Sequence, residues 1–325
     1  MTLLLSESDV RGLLTMELAL QCVEDSFARL ADGSATLHSR QRLHVPNGSF
    51  LHYMAAMDLK AGYMGLKIYT VSGEGLRFIV LLYHAISGDL LALIEADYLG
   101  QMRTGAASGV ATRLMARGDA KTIGMIGTGL QAHTQLQAIV AVRKIEHIRV
   151  FGRDAERRAK FAKEVTELLH IPVEAANSAE AAVRGADIIV TSTTASKPVV
   201  EGRWLSPGVH MNAIGANWAQ KRELDTDAVL RADIIAVDSC AQSKLESGDL
   251  IQAFEGHSDR WGSVVEVADI AGRKVSGRTK PEQITLFKSN GIAIQDVVTA
   301  GRIYELAKAR GIGRDIPLWE HLRGH

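Results

Sequence analysis

Cysteine is almost missing from this chain: Cys22 and Cys240 alone build neither a disulfide framework nor a zinc ribbon, and a reducing, cytoplasmic setting is expected. Charge imbalance is missing too. The 37 basic and 37 acidic side chains cancel without a long single-sign block, which argues against nucleic acid or an anionic membrane as partner. No apolar run reaches the length of a membrane span. The start, Met1-Thr-Leu-Leu-Leu-Ser-Glu-Ser-Asp9, lacks the basic region and the sustained apolar stretch of a signal peptide. Internal repeats and low-complexity segments are not found. Nor is there an HExxH pair, a Walker loop, a Ser-His-Asp order or a paired-carboxylate signature, so hydrolase and kinase readings and a metal centre have no support. What remains is a soluble globular chain of 325 residues, long enough for two domains with sizeable cores.

What is present centres on Lys121-Thr-Ile-Gly-Met-Ile-Gly127-Thr-Gly129-Leu-Gln-Ala132. A β-rich run, Thr122 to Ile126, breaks at Gly127-x-Gly129-x-x-Ala132, and helix-forming residues follow at once. This is the strand–turn–helix setting of a dinucleotide fingerprint. Gly127 permits a sharp turn, Gly129 lets backbone N–H groups approach a pyrophosphate, and Ala132 allows close strand–helix packing. A nicotinamide dinucleotide is the expected cofactor.

Around this stretch the chain changes character. Thr15 to Ala31 reads as a helix, with Met16, Leu20, Val23, Phe27 and Leu30 at helical spacing. Five β runs follow without helices between them: Gln41–Val45, Phe50–Met54, Met64–Thr70, Phe78–Tyr83 and Leu90–Glu95. Turn residues at Pro46-Asn-Gly48, Ser72-Gly-Glu-Gly75 and Ser87-Gly-Asp89 separate several of them, as in an antiparallel sheet. Tyr98 to Ala116 reads as an Ala-rich linking helix. Then strands and helices alternate: Thr122–Ile126, a helix from Leu130, His147–Phe151, a helix from Ala155 to His170, a short helix at Ser178–Ala182, and strands at Ile188–Ser192, His210–Ile214 and Ile234–Val237. That alternation predicts an α/β, doubly wound parallel sheet, a Rossmann domain over 114–292. Ala293 to Arg310 reads as a helix returning to the first domain, so residues 1–113 and 293–325 form a β-rich α+β domain for substrate binding and dimerisation.

The residue ending the second strand chooses the cofactor. An acid there favours NAD by binding the ribose 2′-hydroxyl. Here Ile148-Arg-Val-Phe151 runs into Gly152-Arg153-Asp154, with Arg157-Arg158 beyond. Gly152 leaves room where the acid would stand, and Arg153 offers a planar guanidinium to a 2′-phosphate with Arg157 or Arg158 in support. NADP is therefore expected; NAD stays open through Asp154 if the strand runs two residues longer.

A nicotinamide enzyme also needs groups that orient substrate and manage a proton. Lys67 lies inside the apolar run Met64-Gly-Leu-Lys-Ile-Tyr69, where a cation is costly without a partner or an anionic ligand. Arg40, with Arg42 on the same strand face, and Arg103 in Leu99-Gly-Gln-Met-Arg-Thr-Gly105 are two further basic candidates bordered by apolar residues. Three such cations point to a carboxylate site. His52, Met54, Tyr69 and Trp218 set the pocket's size, whereas His44 is read as structural. Asn217, in the strand end Gly215-Ala-Asn217, is placed to hydrogen-bond a substrate amine, imine or water.

The assembled motifs resemble the ornithine cyclodeaminase/mu-crystallin family over nearly the whole chain. They are Arg40 ahead of Leu51-His-Tyr-Met54, Gly65-Leu-Lys67, Met102-Arg103-Thr104-Gly-Ala-Ala107, Ile126-Gly-Thr-Gly-Leu-Gln-Ala132 and Pro207-Gly-Val-His-x-Asn-Ala-Ile-Gly215, then Arg222-Glu-Leu224, Glu246-Ser-Gly-Asp249 and Phe287-Lys-Ser-x-Gly291. The resemblance implies a homodimer built through the β-rich domain, with substrate bound between the domains. It makes Arg40, Lys67 and Arg103 the carboxylate and polar-site residues, with Arg42 the fallback for Arg40. Cofactor contacts are implied at Thr104, Thr128, Gly129, Leu130, Gln131 and Ala132, and further at Ser192, Thr193, Ile214, Gly215, Lys288, Ser289 and Gly291. Two departures count: ornithine cyclodeaminases carry an aspartate where this chain has Asn217, and an acid near His52 is replaced. Asparagine takes up no proton at neutral pH, so it cannot serve as base for ring closure with loss of ammonia. The expected activity is reduction of a 2-imino acid or cyclic ketimine carboxylate, or its reverse. The alternatives are a cyclodeaminase of ornithine or lysine using another base, and a non-catalytic, crystallin-like binding protein.

Overall fold

Period-two runs early in the chain and β/α alternation after them produce two different sheets in the computed structural model, which describes residues 1–46, 48–73 and 75–318. Asn47, Glu74 and 319–325 lie outside the described residues, and with them part of the expected turns at 46–48 and 72–75. Patterning divides the chain at 113/114 and 292/293; the compact units are Met1–Arg103 with Ile292–His325, and Thr104–Gly291. The first passage falls inside one Ala-rich helix, where no change of composition marks it.

The first unit begins with β1 (Thr2–Leu5), α1 (Glu7–Leu13) and α2 (Met16–Ala31). Thr15 caps α2 by accepting from Leu18 N, and the buried stripe of Met16, Leu20, Val23 and Phe27 fixes its inner face. Each such fully buried side chain stabilises by roughly 1.5–3 kcal/mol. The strands β2 (Ala35–Leu37), β3 (Gln41–His44), β4 (Phe50–Asp58), β5 (Tyr63–Ser72), β6 (Gly75–His84) and β7 (Leu90–Glu95) follow, and then α3 (Asp97–Met115). The antiparallel expectation holds for β4 to β7; β1, β2 and α1 are additions, and β1 pairs with β7 in parallel. These are short pieces: α1 shows only Val10 and Leu13 as its buried positions, too few to set a period.

The second unit starts within α3 and runs through β8 (Thr122–Ile126), α4 (Leu130–Val142), β9 (His147–Phe151), α5 (Ala155–Leu169), β10 (Val173–Ala175), α6 (Ala179–Val183), β11 (Ile188–Thr191) and β12 (His210–Ala213). It continues with α7 (Thr226–Leu230), β13 (Ile234–Val237), α8 (Cys240–Glu246), α9 (Gly248–Ala253), β14 (Val265–Glu266), α10 (Val267–Ala271) and β15 (Thr285–Lys288). The strands form one parallel sheet in the order β10-β9-β8-β11-β12-β15-β13-β14. Apolar clusters cover it, one including Met125, Leu136, Val150 and Phe161, the other Ile189, Met211, Ile235 and Leu286. The order reverses at β8, which has β9 on one side and β11 on the other, and ligands of such sheets bind at the carboxyl ends of strands flanking that point.

The chain then returns to the first unit with α11 (Ala293–Arg310) and β16 (Arg314–Ile316), which pairs with β1. Helix α11 lies across β4, β5 and β6 and against α2, and Gly311 ends it in the left-handed conformation. Register sets which strand residues meet it: His52 opposes Tyr69, Met54 opposes Lys67 and Ala56 opposes Gly65, and all six are buried.

Candidate active site

The chain must reverse as soon as β8 ends. Gly127 does so with φ at +113°, and a Cβ there would overlap the Ser192 carbonyl. Gly129 is the N-cap of α4 and offers no side chain; a Cβ at this position would meet nothing within 4 Å. An open helix start with N–H donors and the positive end of the dipole suits a pyrophosphate. A cleft of about 800 Å³ lies at this point. It brings together Gly127, Thr128, Gly129, Gly152, Arg153, Asp154, Arg157, Ser192 and Thr193 from the expected cofactor set, and adds 194–199. Leu130, Gln131, Ala132, Thr104, Ile214 and Gly215 do not line it; Ala132 instead packs into the apolar cluster around Leu136.

Gly152 does not leave room, as the sequence suggests: a Cβ there would come 2.8 Å from Thr128 Oγ1, so glycine stands at 152 because Thr128 fills the space. Asp154 is the N-cap of α5, its carboxylate accepting from Arg157 N at 2.8 Å. Arg158 donates to the Gly152 carbonyl at 2.7 Å and lies 5.4 Å from the Phe151 ring centroid, which leaves Arg153 and Arg157 as the arginines of the cleft.

Lys288, Ser289 and Gly291 lie beneath the strand ends and do not line the cleft. Lys288 is fully buried; its amine donates to the carbonyls of Ala216 at 2.5 Å and Ala213 at 3.3 Å and stands 3.1 Å from the Asp249 carboxylate. The hydroxyl of Ser289 and the N–H groups of Asn290 and Gly291 all donate to Asp238 Oδ2. Glu223 completes this platform. Its Oε1 accepts from Thr193 N at 2.7 Å, and its Oε2 accepts from Thr191 Oγ1 at 2.8 Å and Gly215 N at 2.7 Å. Asp249 Oδ1 in turn accepts from the N–H groups of Glu223 and Leu224. Burial, then Asp249, pushes the Glu223 carboxyl above its ordinary range. Lys288 holds the 213–216 backbone that carries Ile214, Gly215 and the half-buried Asn217.

In the first unit the cations form one buried cluster. Lys67, on β5, donates to Asp296 Oδ1 of α11 at 2.7 Å. Arg103 Nε donates to the same oxygen at 3.1 Å, and its Nη1 to Gln295 Oε1 at 3.2 Å. Gly100 makes the close approach possible, since even a Cβ there would lie 3.1 Å from the Lys67 amine. Burial, then the like charge of Arg103, pushes the Lys67 amine from 10.5 down to about 8, against the pull of Asp296; Arg40 adds to the depression. Arg40, Lys67 and Arg103 are 9%, 2% and 6% exposed.

His52 stacks on Tyr69 with ring centroids 4.4 Å apart and sits opposite Arg42 of β3. Burial, then Arg42 and Arg40, brings its imidazole to about 4, so the ring is neutral at neutral pH. Met54 is buried opposite Lys67. The fold therefore places Arg40, Lys67, Arg103, His52 and Met54 together. Sequence reasoning missed Asp296, Glu223 and the roles of Asp249 and Asp238. For Asp296 one signal existed: an acid among Ala293, Ile294, Val297 and Val298, where a buried cation elsewhere needed a partner.

The model of the ornithine cyclodeaminase/mu-crystallin family matches residues 1–311. A Delta(1)-pyrroline-2-carboxylate reductase of Bacillus cereus is 39% identical over 261 residues, 78% of this chain and 80% of that one. The solved Thermococcus litoralis Delta(1)-pyrroline-2-carboxylate reductase, in complex with NADH and L-proline, is similar at a TM-score of 0.93 and 36% identity, over 97% of this chain and 100% of that one. An archaeal alanine dehydrogenase dimer with bound NAD is similar at a TM-score of 0.92 and 32% identity, over 98% and 99% of the two chains.

Proposed function

Because the chain belongs to the ornithine cyclodeaminase/mu-crystallin family, we propose that it is a nicotinamide-dependent oxidoreductase of the C–N bond. It reduces a 2-imino acid or cyclic ketimine carboxylate to the amino acid, or runs the reverse dehydrogenation. The observation that carries this reading is the buried cluster in which Lys67 and Arg103 share one carboxylate, leaving more positive than negative charge for an anionic substrate. Arg40 and Arg103 hold the substrate carboxylate, with guanidinium geometry suited to two parallel bonds. Lys67 hydrogen-bonds the carboxylate or the nitrogen and gives the nitrogen its proton. Neutral His52 and Met54 shape the pocket, and Asn217 orients the nitrogen or a water. A bound reduced nicotinamide supplies the hydride that C2 receives. Asn217 has no basic site, which disfavours the cyclodeaminase alternative.

The turn 127–129 is built to hold the cofactor's pyrophosphate, and Arg153 with Arg157 to hold a 2′-phosphate, since the Asp154 carboxylate already caps α5. NADPH is therefore the proposed cofactor form. The far face of the first sheet carries Tyr53, Ala55, Met57, Leu66 and Ile68, partly exposed on a single chain, beside an apolar hollow of about 410 Å³. A second copy of the chain is proposed to cover it, giving a homodimer of cytoplasmic setting; twice the chain mass is expected by light scattering. The test of function is a cofactor-oxidation screen over cyclic imines and over keto acids mixed with amines. Turnover of at least one imino carboxylate is expected. Ammonia release from ornithine or lysine without net cofactor oxidation would favour the cyclodeaminase, and tight dinucleotide binding with no turnover would favour a binding protein.

A further inference from the structure

The proposed chemistry employs the cations, and the acid that joins them has no part in it. We propose that Asp296 is the positioning residue of the cluster: one carboxylate oxygen, accepting from Lys67 and Arg103 together, sets the spacing of the two donors and keeps the Lys67 amine protonated for transfer to the substrate nitrogen. The inference rests on the proposed imine reduction for its kinetic consequence but not for its structural content.

The geometry separates Asp296 from an ordinary ion pair. Lys67 sits on β5, Arg103 on α3 and Asp296 on α11, so a single oxygen gathers three elements of the first unit. Asp296 is fully buried, and its second oxygen, Oδ2, has no hydrogen-bond partner among the described residues. A buried acceptor left unmatched is costly, and it is tolerated here where the other oxygen binds two charged donors. The groups facing Lys67 are few. From α11 comes Asp296; from α3 come Arg103 and the bare backbone of Gly100; the segment before β3 adds Arg40; β6 adds the Phe78 ring, 5.4 Å from the amine; and β4 adds Met54, with neutral His52 beyond. Among these described neighbours, every charged one except Asp296 is a cation. Removing the one anion leaves Lys67 among like charges in a desolvated place, and both influences drive its proton off.

Two substitutions separate charge from spacing. Asp296→Asn keeps an acceptor oxygen at the same reach and removes the charge. Asp296→Glu keeps the charge and moves it by one methylene. Lys67 is followed directly by NMR of 15N-lysine-labelled full-length protein, its signal assigned by its loss in Lys67→Arg. The titration midpoint is expected to fall by about 1–3 pH units in D296N, as loss of a close opposite charge produces, and to stay near the wild-type value in D296E. Burial and the charge of Arg103 push the wild-type amine down from 10.5 to about 8. The alkaline limb of kcat/KM for a cyclic ketimine carboxylate should move by the same amount in D296N. D296E should weaken the carboxylate's KM by about 10-fold or more, as displaced donors do, with NADPH affinity unchanged in both.

An unmoved midpoint in D296N overturns the assignment. So does wild-type carboxylate KM in D296E, which also carries the test should D296N not fold. If the wild type turns over no imine, the functional reading fails by itself. The Lys67 midpoint then still decides the role of Asp296.

Discussion

Lys67 shows what the proposed chemistry asks of the fold. Its amine lies at about 8 in the folded chain against 10.5 ordinarily, with burial the largest cause. Between those values the unfolded chain binds more protons, so stability rises as pH climbs from about 8 to 10.5, and below 8 the ammonium opposes folding. Lys67→Met removes that charge and leaves Asp296 still paired with Arg103. The expected outcome at pH 7 is a gain of about 1–3 kcal/mol in urea unfolding, because each pH unit by which burial holds the amine below 10.5 opposes folding by about 1.4 kcal/mol. Turnover should fall by about 100-fold or more with cofactor affinity intact. A variant that is less stable, or still active, would remove Lys67 from this role. Arg153→Ala should narrow the ratio of NADPH to NADH affinity; an unaltered ratio would show that Arg153 does not read the phosphate. The cations were legible because a charge inside an apolar strand is anomalous. Asp296 was harder to read: its apolar neighbours marked it, but an acid in the first turn of a helix is what the helix dipole favours anyway, and that masks a partner across the unit.

At the scale of elements, β7, β8, β9, β13 and α11 carry the expected limits, whereas β4 runs on to Asp58 past the expected Met54, and β5 and β6 extend beyond the expected runs at both ends. The three-residue β10, the two-residue β14 and β15 escaped. β15 is buried along its whole length, so it shows no alternation, and a lysine within it disguises a strand. That lysine belongs to the platform under the strand ends, where glutamate, aspartate and lysine tie together loops that no spacing rule connects. Glu223→Gln tests the platform. Glutamine cannot accept from Thr191, Thr193 and Gly215 as the carboxylate does, and its amide adds a donor facing donors. A loss of about 1–3 kcal/mol per unmatched group is expected in unfolding, together with weaker dinucleotide binding by calorimetry. Unchanged binding in a folded variant would confine Glu223 to stability.

For the molecule as a whole, acid should be the weak side. His52 lies at about 4 and His210 at about 3, against 6.5 ordinarily, each depressed first by burial, and next by Arg42 and by Arg278 respectively. The fold keeps both rings neutral while the unfolded chain takes up protons from pH 6.5 downward. Stability therefore falls as pH drops from 6.5 through about 4 and toward 3, and the urea midpoint at pH 5 should lie below that at pH 7. An equal midpoint would mean that other groups offset these histidines. The two-unit organisation was readable from the switch between strand runs and β/α alternation; the passage within α3 was not, since a helix continues across it.

The surplus of positive charge around Asp296 has a practical side. Phosphate, sulfate or citrate in a buffer should settle against Lys67 and Arg103, raise the melting temperature by mass action and compete with substrate. Preparations that look best behaved in such salts would then give the poorest rates, and chloride-poor zwitterionic media would give the truest ones.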